Sequence, residues 1–262
     1  MKLEAVTVCI NYSDFLRFTL PYNKRHFDNY VVVTVTDDQK TIDLCRKYGV
    51  KVITIEKTEP GELDNKGRAI NAGLDYLDKD GWVLHLDGDI WLPPLTRKLL
   101  NNHHLEKDCI YGVDRFMCES YDAWINFIKE KKYAAAHKGW VFLDTNCFRL
   151  GKRMIQYNST GFWPIGFFQL WHPQGSLVKD YPEGMSGYDR DDTRHLLRFK
   201  DGRRKLIPDF IAFHLSSEPH THGQNWNGRA TAQFGPDNCQ YDFGDMNHGH
   251  IGEKRHADGT GY

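Results

Sequence analysis

The chain lacks the features that would assign it to several large protein classes. Its formal net charge is only −1, from 34 basic and 35 acidic residues, so no overall field attracts it to nucleic acid or to a membrane surface. Its six cysteines form no CxxC pair and no close repeated spacing. This scatter argues against a disulfide framework and favours a reduced, cytoplasmic compartment.

Targeting, membrane-spanning and common nucleotide-binding motifs are also missing. No run of about 18 apolar residues occurs, and the start, Met1–Val8, enters a strand pattern without the apolar segment of a signal peptide. No G-x-G-x-x-G follows the first strand, and G-x-x-x-x-G-K-[ST] is absent. We therefore expect no membrane span, no dinucleotide-binding Rossmann unit and no P-loop NTPase.

What the sequence does contain is an alternation of strand and helix patterns in its first ninety residues. With 40% hydrophobic and 26% charged residues it has the composition of a globular protein. The alternation predicts a parallel sheet with right-handed crossovers. The predicted strands are Ala5–Ile10, Tyr30–Thr36, Val50–Ile55 and Trp82–Leu86, and the predicted helices are Phe15–Tyr22, Thr41–Tyr48 and Lys66–Leu77. Asp14 directly precedes the first of these helices and is predicted to cap it.

The pattern is weaker after about residue 105. Helices are predicted at Tyr121–Lys132 and Gly187–Asp201, and strands at Trp140–Phe148 and Pro208–Leu215. No linker divides the chain, so we expect one domain made of two halves, at 1–100 and 101–235. Residues 236–262 are rich in glycine, histidine and charge, which predicts a loosely held tail.

The most informative motif is Asp87-Gly88-Asp89, which directly follows the predicted strand Trp82–Leu86. Sheets of this type bind their ligands at the carboxyl ends of the strands. Carboxylate oxygens suit a hard divalent cation such as Mg²⁺ or Mn²⁺, and such a cation suits a diphosphate. Gly88 would let a bulky ligand approach the backbone. An acidic turn without a ligand is the alternative.

Four segments in order resemble nucleotide-sugar-dependent glycosyltransferases of the GT-A type, closest to the family-2 group. They are Val6–Tyr12, Val31–Asp38, Asn65-Lys66-Gly67-Arg68-Ala69-Ile70-Asn71-Ala72-Gly73 and Leu86–Asp89. The likeness covers roughly residues 5–95 and is looser to about residue 222. It implies an α/β fold of GT-A type, with a Rossmann-like, mostly parallel sheet flanked by helices, and a UDP-linked sugar as the donor.

The resemblance also implies that residues 1–100 are the half that binds the nucleotide-sugar donor, and that residues 101–235 are the half that binds the acceptor and carries the catalytic residues. In such enzymes Asn11, Tyr12 and one of Asp37 or Asp38 would lie near base and ribose. Lys66 or Arg68 would face the diphosphate, and Asn71 would brace the loop. Asp89 would bind the metal directly, with Asp87 on the ribose or on a metal-bound water. Without the metal motif, Lys66 and Arg68 are ordinary first-turn residues and Asp37-Asp38 an ordinary turn.

The second half would supply a further ligand and the catalytic base. His214 ends an apolar strand, where the resemblance implies an added metal ligand, and an imidazole would favour Mn²⁺ over Mg²⁺; His220 and His222 follow in a loop. Asp192, or failing that Asp191, would be the general base. The alternative is that these acids only stabilise the start of a helix through its dipole.

Two further segments have both functional and structural interpretations. In Phe162–Trp171, Trp163 and Trp171 would stack on an acceptor, or would belong to the core. The basic stretch from Arg194 to Lys205 would contact a phosphate-bearing acceptor, or would be a solvated helix face.

The resulting hypothesis is a metal-dependent glycosyltransferase that moves a sugar to an acceptor hydroxyl with inversion. The acceptor classes left open are a glycan, a lipid-linked sugar, a protein and a modified nucleic acid. One alternative is a non-catalytic carbohydrate- or nucleic-acid-binding protein on the same fold. The other is a sugar-phosphate nucleotidyltransferase, which the lack of glycine in Asn11–Phe18 disfavours.

Overall fold

The computed structural model describes residues 1–56, 66–118, 120–129, 150–154, 157–158, 161–183, 190–217 and 231–236. The predicted strand Trp140–Phe148, the histidines His220 and His222, residues 187–189 and the tail beyond 236 lie outside the described residues.

The amino-terminal half has the alternating elements that the sequence predicts. They are β1 (Leu3–Val8), α1 (Ser13–Asn23), β2 (Asn29–Val35), α2 (Gln39–Tyr48), β3 (Lys51–Ile55), α3 (Lys66–Leu74) and β4 (Trp82–Leu86). The structure also has three elements that the sequence does not predict: a 3₁₀ turn (Lys24–His26), a short strand β5 (Ile90–Trp91) and a helix α4 (Thr96–Asn102). The helix α3 ends three residues earlier than predicted, because Tyr76 and Leu77 continue it only as a turn bonded to the carbonyls of Gly73 and Leu74.

Local residue chemistry accounts for the ends of the helices, with one correction. Gly49 ends α2 in the left-handed conformation, at φ 63°. At the other end of α2, Asp38 is the N-cap and accepts the Thr41 N–H. We expected Asp14 to cap α1, but the N-cap is Tyr12, without a side-chain bond. The Asp14 carboxylate instead accepts the N–H of Phe234, 2.6 Å away. This long-range contact uses the carboxylate that would otherwise cap the helix.

The second half contains two long strands, of 9 and 12 residues, together with shorter strands and short helices. Its elements are β6 (Ile110–Cys118), α5 (Tyr121–Lys129), β7 (Leu150–Met154), β8 (Tyr157–Asn158), β9 (Gly161–Phe162), β10 (Phe168–Trp171), α6 (Pro173–Ser176), α7 (Arg190–Leu197) and β11 (Arg204–Leu215).

One sheet joins the two halves, in the order β3-β2-β1-β4-β10-β6-β11-β5, with β7 paired to β6. The first four strands in this order are parallel, as predicted. The strand β10 then inserts antiparallel between β4 and β6, and β11 runs parallel to β6. Helices flank this sheet, so the predicted α/β architecture is confirmed.

Apolar residues bury both faces of the sheet. Leu84 and Leu86 of β4 pack with α1, whereas Val83 packs with α3 and α7 on the opposite face. Because side chains alternate along a strand, His85 shares the face of Val83. Trp171 is fully buried and donates its indole N–H to the Val178 carbonyl, so the core interpretation holds for this residue.

Two global expectations concern cysteine and membranes. Cys9, Cys45, Cys109 and Cys118 are all buried. Among the helices in the described ranges, none is long and apolar enough to cross a membrane.

Candidate active site

The Asp87-Gly88-Asp89 segment lies where the two halves of the sheet meet. The Asp87 N–H donates to the Phe167 carbonyl at 3.1 Å, just before β10. The Asp89 carbonyl accepts the N–H of Leu215, at the end of β11, at 2.9 Å. The segment is therefore held between a loop and a strand of the second half.

Asp87 belongs to a group that we call the Asp87 network: Asp87, Lys66, Asp192 and His85. The Lys66 ammonium lies 2.9 Å from Asp87 Oδ1 and 3.2 Å from Asp192 Oδ2. Burial lowers the pKa of Lys66, but the two carboxylates outweigh burial and the net shift is upward. A buried, charged ammonium thus links the metal motif to the predicted base.

The start of α3 positions Lys66 because α3 docks tightly on the second half. The Gly67 N–H donates to Asp191 Oδ2 at 2.8 Å. A Cβ on Gly67 would come within 1.9 Å of the Pro182 carbonyl oxygen, so only glycine fits there. Asn71, one turn further, accepts the Tyr181 N–H at 2.7 Å and donates to the Tyr181 carbonyl at 3.0 Å. Asn71 therefore fastens this segment of the second half to α3.

The two aspartates at the start of α7 have different surroundings. Asp191 is engaged by Gly67, whereas Asp192 faces Lys66. Burial raises the pKa of Asp192 to about 6, with Asp87 adding to the shift and Lys66 opposing it. A carboxylate with a pKa near neutrality is suited to general-base chemistry. The carboxylate also lies against Gly166, where a Cβ would be 1.7 Å from Asp192 Oδ2.

Asp89 belongs to a second group, the Asp89 network: Asp89, His214, Arg115 and Tyr12. Asp89 Oδ2 lies 3.1 Å from His214 Nε2 and 3.4 Å from the Tyr12 hydroxyl. Burial raises the pKa of Asp89, but His214 and Arg115 outweigh burial and the net shift is downward. Asp89 Oδ1 is buried without a hydrogen-bond partner among the described residues, so this oxygen has a lone pair that could bind a cation.

The protonation of His214 follows from its contact with Arg115. Arg115 Nη1 lies 3.1 Å from His214 Nδ1. A guanidinium only donates, so Nδ1 accepts and the ring proton sits on Nε2, from which it is donated to Asp89. In this arrangement His214 anchors Asp89, and its Nε2 would bind a metal only after the bond to Arg115 breaks.

The predicted nucleoside-binding residues lie in the loops after β1 and β2. Asn11 is exposed, in the left-handed conformation at φ 54°, and its N–H donates to Asp38 Oδ2 at 2.7 Å. Asp38 is buried and also accepts from Thr34 and Thr41. Its carboxylate therefore holds the two loops together, while Asp37 is exposed. Arg68 is exposed on α3.

A separate acidic group lies at the opposite end of the sheet. Among the described residues, Glu106, Asp108 and Cys109 form a group whose potential ligand atoms all lie within 4.8 Å of one another. Arg203 lies 2.8 Å from Glu106 and 3.0 Å from Asp108, and Lys205 also pairs with Glu106. Since these basic side chains already neutralise the acids, we do not assign a metal there.

Four residues of the site were missed by the sequence analysis: His85, Gln169, Tyr181 and Arg115. His85 carried a usable signal, since it is a polar residue inside the apolar strand that leads into the metal motif. The others come from distant segments and have no local pattern that marks them.

Comparison with known proteins supports the fold. No protein-family model matches the chain, and no curated protein matches it. The structure of TarS residues 1–349 from S. aureus in complex with UDP-GlcNAc aligns with a TM-score of 0.52 and 13% identity, over 84% of this chain and 60% of that one. The complex of the same protein with UDP aligns with a TM-score of 0.53 and 14% identity, over 83% of this chain and 61% of that one.

These structures confirm the resemblance to GT-A glycosyltransferases at the level of the fold. At this identity the likeness extends to the fold alone. The chain spans about 60% of the length of the TarS structures.

Proposed function

We propose that this chain is a glycosyltransferase that uses a nucleotide-sugar, with UDP as the nucleotide, and a divalent cation. The observation that carries the proposal is the Lys66 ammonium, bonded to both Asp87 and Asp192 at the carboxyl end of β4. A transferase needs a cation at the leaving diphosphate and a base at the incoming hydroxyl, and this contact brings both together. The shared fold of the UDP-GlcNAc complex of TarS supports the choice of donor.

Asp87 and Asp89 are the residues that would hold Mn²⁺ or Mg²⁺. Asp89 Oδ1, which has no hydrogen-bond partner in the described part of the chain, and the partly exposed Asp87 carboxylate suit a hard cation. His214 would join them only after its release from Arg115. When bound, the cation would neutralise charge that develops on the diphosphate.

Asp192 would act as the general base. It takes the proton from the acceptor hydroxyl as the hydroxyl oxygen bonds to the anomeric carbon. The bond from that carbon to the diphosphate oxygen breaks, and the nucleoside diphosphate leaves with the electron pair. Attack from the face opposite the leaving group inverts the anomeric centre. Base assistance of this kind contributes about 10²- to 10⁴-fold.

The remaining predicted residues have supporting roles in this proposal. Lys66, and Arg68 on the same turn, would bind the diphosphate as its negative charge grows. Asn11, Tyr12 and Asp37 would contact the nucleoside, while Asp38 would shape their loops through its three internal hydrogen bonds.

A donor panel tests the proposal. Thermal stabilisation and nucleotide release would be measured with UDP- and GDP-sugars, with Mn²⁺, Mg²⁺ or EDTA, for the wild type and Asp89→Asn. Glu106→Gln, in the acidic group at the far end of the sheet, is the matched control. We expect cation-dependent nucleotide release from one donor, lost in Asp89→Asn and retained in Glu106→Gln.

Other outcomes would reject this function. No response to any donor would exclude a nucleotide-sugar site. Cation-dependent binding without release, even with added saccharide acceptors, would favour a binding protein. Pyrophosphate release from a nucleoside triphosphate and a sugar phosphate would favour nucleotidyl transfer.

A further inference from the structure

Three buried polar side chains lie behind Lys66 and have no role in the mechanism above: Gln169, Tyr181 and His85. Gln169 and His85 face each other on the paired strands β10 and β4. All three are at most 2% exposed. Buried polar groups at such positions are costly unless their hydrogen bonds are satisfied, so the direction of each bond is informative.

The contacts of Gln169 determine where each proton lies. Gln169 Nε2 is 2.6 Å from the Pro164 carbonyl oxygen and 3.0 Å from that of Asp192. Carbonyls only accept, so the amide nitrogen faces them and Oε1 faces Tyr181. The Tyr181 hydroxyl donates its single proton to this Oε1. Its oxygen, 3.1 Å from His85 Nδ1, must therefore accept from that nitrogen.

His85 consequently presents a bare Nε2 to Asp87. With the proton on Nδ1, Nε2 is the acceptor nitrogen of the neutral imidazole. Its Nε2 is buried, has no hydrogen-bond partner among the described residues, and lies 3.6 Å from Asp87 Oδ1. A histidine beside a carboxylate ordinarily donates a proton to it. Here two acceptors face each other instead, and a cation stabilises that arrangement.

We propose that Gln169 and Tyr181 lock His85 in the Nδ1–H tautomer, so that its Nε2 is a further cation-binding atom beside Asp87. In this structure the cation beside Asp87 is the Lys66 ammonium. When the nucleotide is bound, a divalent ion would replace this ammonium beside Asp87. This inference rests on the proposed function. A nitrogen ligand favours Mn²⁺ over Mg²⁺, and His85 meets this need while His214 donates its Nε2 proton to Asp89.

The tautomer can be tested without any activity. Long-range ¹H–¹⁵N NMR spectra of histidine-labelled protein distinguish protonated from bare ring nitrogens, and the signals absent in His85→Gln identify His85. We expect Nδ1–H in the wild type. Gln169→Met frees Tyr181 to donate to Nδ1 and should shift His85 to Nε2–H. Tyr181→Phe removes the nearest acceptor of the Nδ1 proton, leaves Asp192 Oδ1 at 3.9 Å, and should shift His85 in the same direction. Tyr111→Phe is the control, because its buried hydroxyl contacts Glu106 instead.

Cation binding provides the second test. Binding of Mn²⁺ in the presence of UDP would be measured by electron paramagnetic resonance, with spin-echo modulation from labelled histidine nitrogen as the sign of ligation. We expect about 10- to 100-fold weaker Mn²⁺ binding in Tyr181→Phe and Gln169→Met, as for other residues that orient a ligand. Tyr111→Phe should bind as the wild type does. Near-ultraviolet circular dichroism would confirm that each variant is folded.

The outcomes separate this inference from the proposed function. A His85 that carries its proton on Nε2 in the wild type, or a Tyr181→Phe variant with unchanged Mn²⁺ affinity, would overturn the inference and leave the transferase intact. Wild-type protein that binds no Mn²⁺ with UDP would overturn the cation role and count against the transferase. Mn²⁺ and UDP binding with the expected changes, but without donor turnover, would support the inference and reject only the catalytic function.

Discussion

Asp87 and Asp89 are separated by one glycine, yet they lie in opposite environments. The Asp87 side chain is 29% exposed, its pKa is raised mainly by burial, and its partner is a single ammonium on another element. The Asp89 side chain is 5% exposed, its pKa is lowered, and it is held by His214 and, through it, by Arg115. The neighbouring histidines differ in the same way, since His214 donates a proton to Asp89 whereas His85 presents a lone pair to Asp87.

The difference suggests a division of labour within the motif. Asp89 is a fixed anion whose counter-charge is built into the sheet. Asp87 pairs with a cation on a flexible stem, which an incoming diphosphate can attract away. We therefore expect variants of Asp192 to change chemistry, and variants of the Asp89 network to change stability and cation affinity together.

The largest expected effect is on the Asp87 side, in Asp192→Asn. Asparagine keeps the shape but cannot take a proton, so sugar transfer should fall by about 10²- to 10⁴-fold. Donor affinity should stay near that of the wild type. Steady-state kinetics and UDP titration would measure the two. Asp191→Asn is the control, since its amide oxygen still accepts from Gly67; equal losses in both variants would contradict the assignment of Asp192.

The two aspartates themselves should separate in stability. Asp89→Asn removes the carboxylate charge that contributes most to stabilising the buried Arg115 and should cost about 3 kcal/mol of unfolding free energy. Asp87→Asn should cost much less, because its carboxylate is partly solvated. Urea denaturation of both variants measures the difference. If the two variants proved equally stable, the contrast between a fixed and an adaptable anion would be wrong.

Two glycines sharpen the comparison further. A Cβ at Gly166 would overlap Asp192 Oδ2, whereas a Cβ at Gly88 would make only ordinary contacts, the nearest at 3.6 Å. Gly166→Ala should therefore displace the base and lower kcat by up to about 10²-fold, as misplacement by about 1 Å does. Gly88→Ala should keep the fold, and any weakening of donor affinity would support close approach of the ligand. Unchanged kcat in Gly166→Ala would mean that Asp192 does not need its present position.

The smallest expected effect is a pH dependence on the Asp87 side. The base works deprotonated, so kcat/KM should fall as pH decreases through about 6, the raised pKa of Asp192. The same shift lowers stability as pH rises from about 4 to 6, because in that window the folded state holds a proton that the unfolded chain has released. The difference in unfolding free energy between the wild type and Asp192→Asn should show this trend. A flat difference would place the titration elsewhere.

The success of sequence prediction differed between the halves. The strands and helices from β1 to β4 were predicted because apolar periodicity and turn residues act locally, whereas the short elements β5 and α4 were not predicted. The long-range contacts of single residues could not be predicted in this way. Asp14 bonds Phe234 rather than capping α1, and Trp171, a possible acceptor platform, lies in the core. The antiparallel insertion of β10 could not be predicted either, since pairing between distant strands leaves no local pattern.

For the site, the sequence by itself determined the chemical inventory. Each of its motifs is local and could be recognised from the sequence: two carboxylates after an apolar strand, a basic turn at the start of α3 and an acidic pair at the start of α7. Only the tertiary structure decided their partners. Lys66 meets Asp192 across 126 positions, and His214 meets Asp89 across 125. Hydrogen-bond directions, and so the two histidine tautomers, depend on which groups the fold brings within about 3 Å.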